Sequence, residues 1–257
     1  MVDKVYSVKH LVDFTEGFHR TSTIENLRDR SVVFVRDERW LWELWGKLQA
    51  SNKNVFAFCH AFLWNTDIPS ALKKRARPLF MWDAVEKFIM FHNEVNRNRQ
   101  PAVNQYSPNC DVHPSVTIGV DGMRYVRDDD GHIISMKHMG NVVIDDAVSI
   151  DPYSVVHRAT IDSTILGAST KIGTHCNIGH NVVIGKECFL TPRVCIGGSA
   201  KLGDNCWLGM GTVIRDNIQI CSDVKTGVGA LVVKDITEPG LYFGVPAERK
   251  GDWDGKL

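Results

Sequence analysis

The sequence predicts a mainly β protein, a left-handed parallel β-helix of hexapeptide repeats preceded by a small α/β domain. Two observations carry this prediction. From Leu166 the chain divides without a gap into twelve six-residue units, and eleven of them begin with an aliphatic residue. The composition also changes along the chain, because residues 1–110 hold 16 of the 23 aromatic side chains but only 2 of the 21 glycines. One uniform domain is therefore not expected over the 257 residues.

The six-residue units, here called hexads, are LGASTK, IGTHCN, IGHNVV, IGKECF, LTPRVC, IGGSAK, LGDNCW, LGMGTV, IRDNIQ, ICSDVK, TGVGAL and VVKDIT. Their fifth residue is always small or β-branched. Only Thr226 breaks the aliphatic rule at the first position. This period is typical of a solenoid in which short strands turn every six residues and coils of 18 residues stack. We expect the first and fifth side chains to point inward, and the glycines to adopt positive φ at the turns.

The domain boundaries follow from where this repeat starts and stops. A less regular repeat extends upstream to Gly119, and a charged, non-repeating insertion precedes Asn141. We therefore predict a nucleotide-binding-like α/β domain over 1–104 and a solenoid over 105–247 with an inserted loop at 120–140. A short tail over 248–257 completes the chain. Insertions on a solenoid usually contribute to one binding face.

Four elements are predicted in the aromatic-rich part. SVVFVRD (31–37) and NVFAFCHAFLW (54–64) are typical of buried strands. ERWLWELWGKLQAS (38–51) and FMWDAVEKFIMFHNEV (80–95) have helical periodicity, and the second helix places Phe80, Ala84, Phe88 and Phe91 on one face. The polar, proline-containing segment 96–114 is expected to be a linker.

Charge and cysteine content exclude several classes of protein. Lys+Arg and Asp+Glu are 30 each, so the net charge of +0 indicates neither nucleic-acid binding nor a polybasic membrane patch. The chain has no run of 18 apolar residues, and its start lacks a signal peptide. Seven cysteines without CxxC spacing indicate reduced thiols, so we expect a cytoplasmic protein without a membrane span. Cys176, Cys188 and Cys206 occupy fifth positions and are expected to be buried free thiols.

The candidate site is formed by outward residues of the solenoid. His180 occupies the third position of its hexad, and Gly198 lies 18 residues on, one coil away. A base beside a free glycine N–H suits acyl transfer, because the base deprotonates the nucleophile and the amide stabilises the oxyanion. A lone outward histidine is also compatible with an ordinary solvated residue. His157, His175 and His180 from stacked coils are alternatively a zinc site, an arrangement that resembles the γ-class carbonic anhydrases.

Three segments, NIGHNVVIG, RATIDSTILGASTKIG and IGVDGMRY, closely resemble the UDP-3-O-acylglucosamine N-acyltransferases of lipid A synthesis. The resemblance implies transfer of an acyl group from acyl-CoA or acyl-ACP (acyl carrier protein) to the amine of a UDP- or dTDP-linked aminosugar. It further implies lipopolysaccharide or surface polysaccharide synthesis, a homotrimer, no metal and no tightly bound cofactor.

Carried over to the solenoid, the resemblance makes His180 the general base and Gly198 the oxyanion donor. Asn217 stands where the family has a second active-site histidine, and it completes the predicted catalytic set. His157 replaces a family aspartate and is assigned to substrate binding. The ending FGVPAERK resembles instead small-molecule acetyltransferases that use acetyl-CoA.

Carried over to the amino-terminal part, the resemblance makes it a uridine-binding domain. Phe34 keeps the family's aromatic residue, Asp37 falls where the family has asparagine, and Trp40 falls where a tyrosine stacks on uracil. These three residues are predicted to hold the nucleotide base. Two other functions stay open at this point: a zinc enzyme of the carbonic anhydrase type, and a non-catalytic scaffold that binds sugar nucleotides.

Overall fold

The structure of the chain is a computed structural model. It describes residues 31–35, 44, 47, 48, 50, 55–59, 76–80, 84–127 and 130–253, with only the backbone for 31–35, 55–59, 76–80 and 84–87. The chain separates into two compact units. The N-terminal unit comprises Met1–Gln100 and Arg124–Lys137, and the solenoid unit comprises Pro101–Met123 and His138–Leu257.

The elements in chain order begin with β1 (Ser31–Val35), β2 (Val55–Cys59), β3 (Ala76–Phe80), α1 (Ala84–Val95), β4 (Gln105–Tyr106), β5 (Asp111–Val112), β6 (Thr117–Val120), β7 (Tyr125–Arg127), β8 (Ile133–Ser135), β9 (Asn141–Ile144), β10 (Ser149–Ile150), β11 (Val155–His157) and β12 (Ser163–Leu166). They continue with β13 (Lys171–Ile172), β14 (Asn177–Ile178), β15 (Val183–Ile184), β16 (Phe189–Leu190), β17 (Cys195–Ile196), β18 (Lys201–Leu202), β19 (Trp207–Leu208), β20 (Val213–Ile214), β21 (Gln219–Ile220), β22 (Val224–Thr226), β23 (Leu231–Val232), β24 (Gly240–Phe243) and β25 (Glu248–Gly251).

The N-terminal unit contains a three-stranded parallel sheet in the order β1-β2-β3. Both predicted strands are present. Leu44 and Leu48 are helical, one turn apart and fully buried, as the predicted helix over 38–51 requires. The prediction for Phe80 is wrong, because this residue ends β3 rather than beginning a helix. Pro78 explains the difference, since a residue without a backbone N–H suits a strand at the edge of a sheet.

Helix α1 buries the aromatic face that its periodicity predicts. Phe88 and Phe91 are 7% and 0% exposed. The insertion forms an antiparallel hairpin of β7 and β8, which belongs to the same unit as α1. Asn93 fastens it through two hydrogen bonds: its Nδ2 donates to Ser135 O at 2.8 Å, and its Oδ1 accepts from Lys137 N at 2.8 Å.

The solenoid unit has three faces, each a parallel sheet built from successive coils. Face 1 has the strand order β25-β24-β22-β19-β16-β13-β10-β5, face 2 has β23-β20-β17-β14-β11-β6, and face 3 has β21-β18-β15-β12-β9-β4. Asn177 pairs with Cys195 and Cys195 with Val213, so residues 18 apart are neighbours, as the repeat predicts. Two predictions need correction. The linker predicted over 96–114 already contains β4 and β5, and the start of the predicted tail forms β25 on the exposed edge of β24.

The hexad pattern is reproduced in the core. Every first and fifth side chain of the twelve hexads is at most 6% exposed, including the three cysteines at fifth positions. The irregular Thr226 is 1% exposed, and its Oγ1 contacts Thr212 Oγ1 at 2.8 Å and accepts from Gly209 N at 3.0 Å. A polar residue is therefore tolerated at this first position because its hydroxyl is hydrogen-bonded.

The predicted role of the second-position glycines is wrong. Positive φ occurs instead at the fourth position, and mostly in residues other than glycine, such as Asn181 with φ 61° and Asn217 with φ 59°. Glycine is needed at the second position because the next coil passes very close. A methyl group on Gly179 would lie 2.7 Å from the backbone N of Gly198. The glycines thus allow coils to stack, and short polar side chains accommodate the turns.

No helix among the described residues has the length and apolar character needed to cross a bilayer.

Candidate active site

Three residues lie in a column along the corner that joins face 2 to face 3. His180 follows β14, Gly198 follows β17 and Asp216 follows β20, each at the third position of its hexad. Successive members belong to adjacent coils, about 4.8 Å apart. A methyl group on Gly198 would lie 2.6 Å from Nε2 and 2.8 Å from Cε1 of His180. The imidazole therefore packs directly on the Gly198 backbone, and only glycine leaves room for it.

Asn181 fixes which nitrogen of His180 carries the proton. Asn181 Oδ1 lies 3.0 Å from His180 Nδ1 and also accepts from the backbone N of Thr160 at 2.9 Å. A backbone N–H only donates, so the Asn181 atom that meets it is the carbonyl oxygen. His180 must then donate from Nδ1, and Nε2 keeps its lone pair on the side of Gly198. This is the tautomer that a general base requires.

A buried network holds Asn181 in turn. Its Nδ2 donates to Ile161 O at 2.7 Å, and its backbone N donates to Thr164 Oγ1 at 2.9 Å. Thr160 contributes a second bond to Asn181 Oδ1 from its hydroxyl, at 2.9 Å. The side chain that orients the base is thus itself oriented by three partners.

His138 and Gly122 form the wall on the other side of His180. The His138 ring is 1% exposed and meets the His180 ring edge to face, with centroids 5.5 Å apart. Gly122 is also buried, and a methyl group there would lie 3.0 Å from His180 Cδ2 and 3.2 Å from His138 Nε2. The backbone of the DGM segment therefore packs against both rings.

The backbone N–H of Gly198 is available to a substrate. Within the part of the chain that the structure describes, no atom accepts a hydrogen bond from it. Its position beneath Nε2 of His180 puts a proton acceptor and a hydrogen-bond donor side by side. Such a pair serves a nucleophile that attacks a carbonyl group, because the two groups act on adjacent reacting atoms.

The other predicted solenoid residues lie around this pair. Asn217 is on the coil beyond Gly198, where its backbone N donates to Gly198 O at 2.9 Å and its Nδ2 donates to Asp216 Oδ2 at 2.6 Å. His157 bridges two elements, with Nδ1 3.0 Å from Asp121 O and Nε2 3.0 Å from Asn177 Oδ1. It therefore holds in place the segment that carries Gly122.

The three histidines of the alternative zinc site are not brought together. His175 turns toward the corner joining faces 1 and 2, where its ring contacts Tyr153 with centroids 5.1 Å apart. Among the described residues, no group of three or more His, Cys, Asp or Glu side chains has the geometry to hold a metal ion.

The predicted base-binding residues are only partly visible. Phe34 lies in β1, where the backbone alone is described, and Asp37 and Trp40 lie outside the described residues. Sequence reasoning also missed Asn181, Thr160, His138 and Gly122. The first of these has a sequence signal, since an asparagine directly follows His180 in NIGHNVV.

Known proteins share this solenoid. Residues 169–215 match the sequence model for the hexapeptide repeat of succinyl-transferase. A probable UDP-3-O-acylglucosamine N-acyltransferase 2 of Arabidopsis thaliana, described as mitochondrial, is 36% identical over 144 residues, which cover 56% of this chain and 47% of that protein. The UDP-3-O-acylglucosamine N-acyltransferase of Idiomarina loihiensis is 39% identical over 145 residues, covering 56% and 42%.

The predicted resemblance is confirmed. The matched region nevertheless spans less than half the length of these two UDP-3-O-acylglucosamine N-acyltransferases. A crystal structure of UDP-N-acetylglucosamine O-acyltransferase from Moraxella catarrhalis RH4 is also similar, with a TM-score of 0.51 and 21% identity over 58% of this chain and 56% of that one. This likeness supports the fold, and the predicted left-handed parallel β-helix is confirmed.

Proposed function

We propose that the protein is an N-acyltransferase that moves an acyl group from a thioester to the amine of a nucleotide-linked aminosugar. The observation that carries this proposal is the lone pair of His180 Nε2, held by Asn181 and directed at the side of the Gly198 amide. The names of the curated relatives, which are acyltransferases of a UDP-acylglucosamine, support the substrate class.

The reaction uses this pair in two steps. His180 Nε2 takes a proton from the attacking amine while its nitrogen forms a bond to the thioester carbon. The carbonyl oxygen becomes an oxyanion, which accepts a hydrogen bond from Gly198 N–H. The C–S bond then breaks, and His180 returns the proton to the leaving thiolate. An amide and a free thiol are the products.

The nucleotide base is assigned to the N-terminal unit. Phe34 and Trp40 would pack on the base, because aromatic rings provide large flat surfaces for stacking. Asp37 would contact its polar edge, and His157 would contact the sugar side of the substrate. We expect UDP- or dTDP-aminosugars as acceptors, acyl-CoA or acyl-ACP as donors, and a cytoplasmic homotrimer that serves lipopolysaccharide or surface polysaccharide synthesis.

The decisive experiment compares His180→Ala with wild type in an assay that detects the acylated sugar nucleotide by mass. Each UDP- or dTDP-aminosugar is paired with acetyl-CoA and with a long-chain acyl-ACP. Loss of a general base lowers kcat by about 10²–10⁴-fold, and KM for the acceptor should change little. His175→Asn is the matched control, since it alters an outward histidine at another corner of the same solenoid.

Two results would contradict the proposal. Undiminished kcat in His180→Ala removes this residue as the base. Tight binding of a UDP-aminosugar without any product from any donor identifies a binding protein instead. Trp40→Ala tests the N-terminal assignment separately, because it should raise KM for the sugar nucleotide while kcat stays near that of wild type.

A further inference from the structure

The corner that joins face 3 to face 1 shows what happens to third-position amides elsewhere in this solenoid. There Asp204 Oδ1 accepts a hydrogen bond from the backbone N of Lys186 at 2.7 Å. Ser222 Oγ accepts in the same way from the backbone N of Asp204 at 2.9 Å. In both cases the third-position side chain of one coil caps the third-position amide of the coil before it, 18 residues earlier.

The same register relates Asp216 to Gly198. Asp216 is 18 residues beyond Gly198, in the third position of the next coil, and it carries the same kind of side chain as Asp204. Its carboxylate is nevertheless not used as a cap. Oδ2 of Asp216 accepts from Nδ2 of Asn217 at 2.6 Å, and no described residue accepts from the Gly198 amide.

The close contacts of the preceding glycines show the same contrast. A methyl group on Gly185 would meet the capping Asp204 carboxylate first. A methyl group on Gly197 would instead meet the Asp216 backbone, with N at 2.5 Å and Cα at 2.8 Å. The Asp216 carboxylate has therefore turned away from the amide that its position in the repeat would allow it to cap.

We infer that Asn217 is a positioning residue that keeps the Asp216 carboxylate off the Gly198 amide. This inference rests on the proposed function of that amide as oxyanion donor. A carboxylate bonded to the amide would block the donor with a charge-assisted hydrogen bond. It would also place a negative charge where the oxyanion develops, which opposes the transition state.

The test removes the restraint without disturbing the turn. Asn217→Gly keeps the positive φ of 59° that this corner needs and deletes only the amide side chain. We expect kcat to fall at least about tenfold, because one oxyanion-hole donor is worth about 10²–10³ in kcat. KM for the sugar nucleotide and Tm should stay close to the wild-type values.

The second variant restores the activity if the inference is right. Asp216→Ala/Asn217→Gly lacks the blocking carboxylate, so its kcat should return to within about threefold of Asp216→Ala alone. Asn205→Gly is the matched control: Asn205 also occupies a fourth position, with φ 52°, and its Nδ2 donates to Asp223 Oδ1 at 2.7 Å, away from the proposed site. It should leave kcat unchanged.

Wild-type kcat in Asn217→Gly, or a loss that the double variant does not restore, overturns the inference. A crystal structure of Asn217→Gly gives a readout independent of turnover, since a carboxylate oxygen of Asp216 should then lie within about 3 Å of Gly198 N. If the wild-type protein shows no acyl transfer, the proposed function fails, and this structure alone decides whether Asn217 restrains Asp216. A carboxylate that has not moved overturns the restraint.

Discussion

His180 Nδ1 lies 3.0 Å from Oδ1 of Asn181, the residue that follows it in the chain. The neighbour occupies the left-handed region with φ 61°, which turns its side chain back toward the imidazole. Orientation of the candidate base is therefore a property of one solenoid corner.

Replacement of Asn181 by aspartate should keep the proton on Nδ1 but add a negative charge beside it. The charge favours the imidazolium form and raises the pKa of His180, so the base becomes neutral only at higher pH. The acid limb of the kcat/KM profile should move to higher pH. Asn181→Gly should instead lower kcat by about tenfold or more, because nothing selects the productive tautomer. An unchanged pH profile in Asn181→Asp would contradict the contact.

Gly198→Ala should abolish most activity. Its methyl group would lie 2.6 Å from His180 Nε2 and would displace the imidazole from the amide. We expect kcat to fall by about 10² or more, as for loss of an oxyanion-hole donor. Gly251→Ala is a suitable control, because no described heavy atom outside its chain neighbours lies within 4 Å of the added methyl group. Steady-state kinetics of the two variants measure the difference.

The fifth-position thiols should resist alkylation in the folded protein. Burial raises the pKa of Cys176 to about 11, so only about one molecule in a thousand carries the reactive thiolate at pH 8. Iodoacetamide should modify Cys195, which is half-buried on face 2, well before Cys176. Peptide mass mapping over time measures both rates, and equal rates would contradict burial. Addition of denaturant should make the two thiols react alike.

Thr226→Val should destabilise the solenoid by about 1–3 kcal/mol. The substitution removes the hydroxyl that accepts from Gly209 N and contacts Thr212 Oγ1, so buried polar groups lose a partner. Replacing Thr212 by valine as well should cost less than the sum of the two single changes, because neither threonine then leaves the other without its partner. Chemical denaturation of the four proteins completes the double-mutant cycle, in which strict additivity would argue against the contact.

The sequence predicts the solenoid well because its period records the stacking directly. A residue 18 positions from another is its neighbour, so the proximity of His180 and Gly198 follows from counting. His138 and Gly122 do not follow in this way. They lie beside the non-repeating insertion, where register depends on how an irregular segment returns to the coil.

The role of the second-position glycines was misread for a related reason. A short repeat shows that glycine is required, but positive φ and close approach leave the same signature in a sequence. The structure separates them, since Gly179 is constrained by the nearby N of Gly198, while the turn itself is made by Asn181. Local backbone preference is readable from residue types, whereas contact between coils is not.

The 18-residue register also makes this site unusually sensitive to one kind of genetic change. Duplication of a single coil between His180 and Gly198 preserves every core contact, because any coil can stack on a copy of itself. It would nevertheless double the spacing between base and amide, from about 4.8 Å to about 9.6 Å. Whole-coil duplications beyond Asp216 leave this spacing intact. Lengthening of such a chain is thus free to occur at its ends but not through its centre.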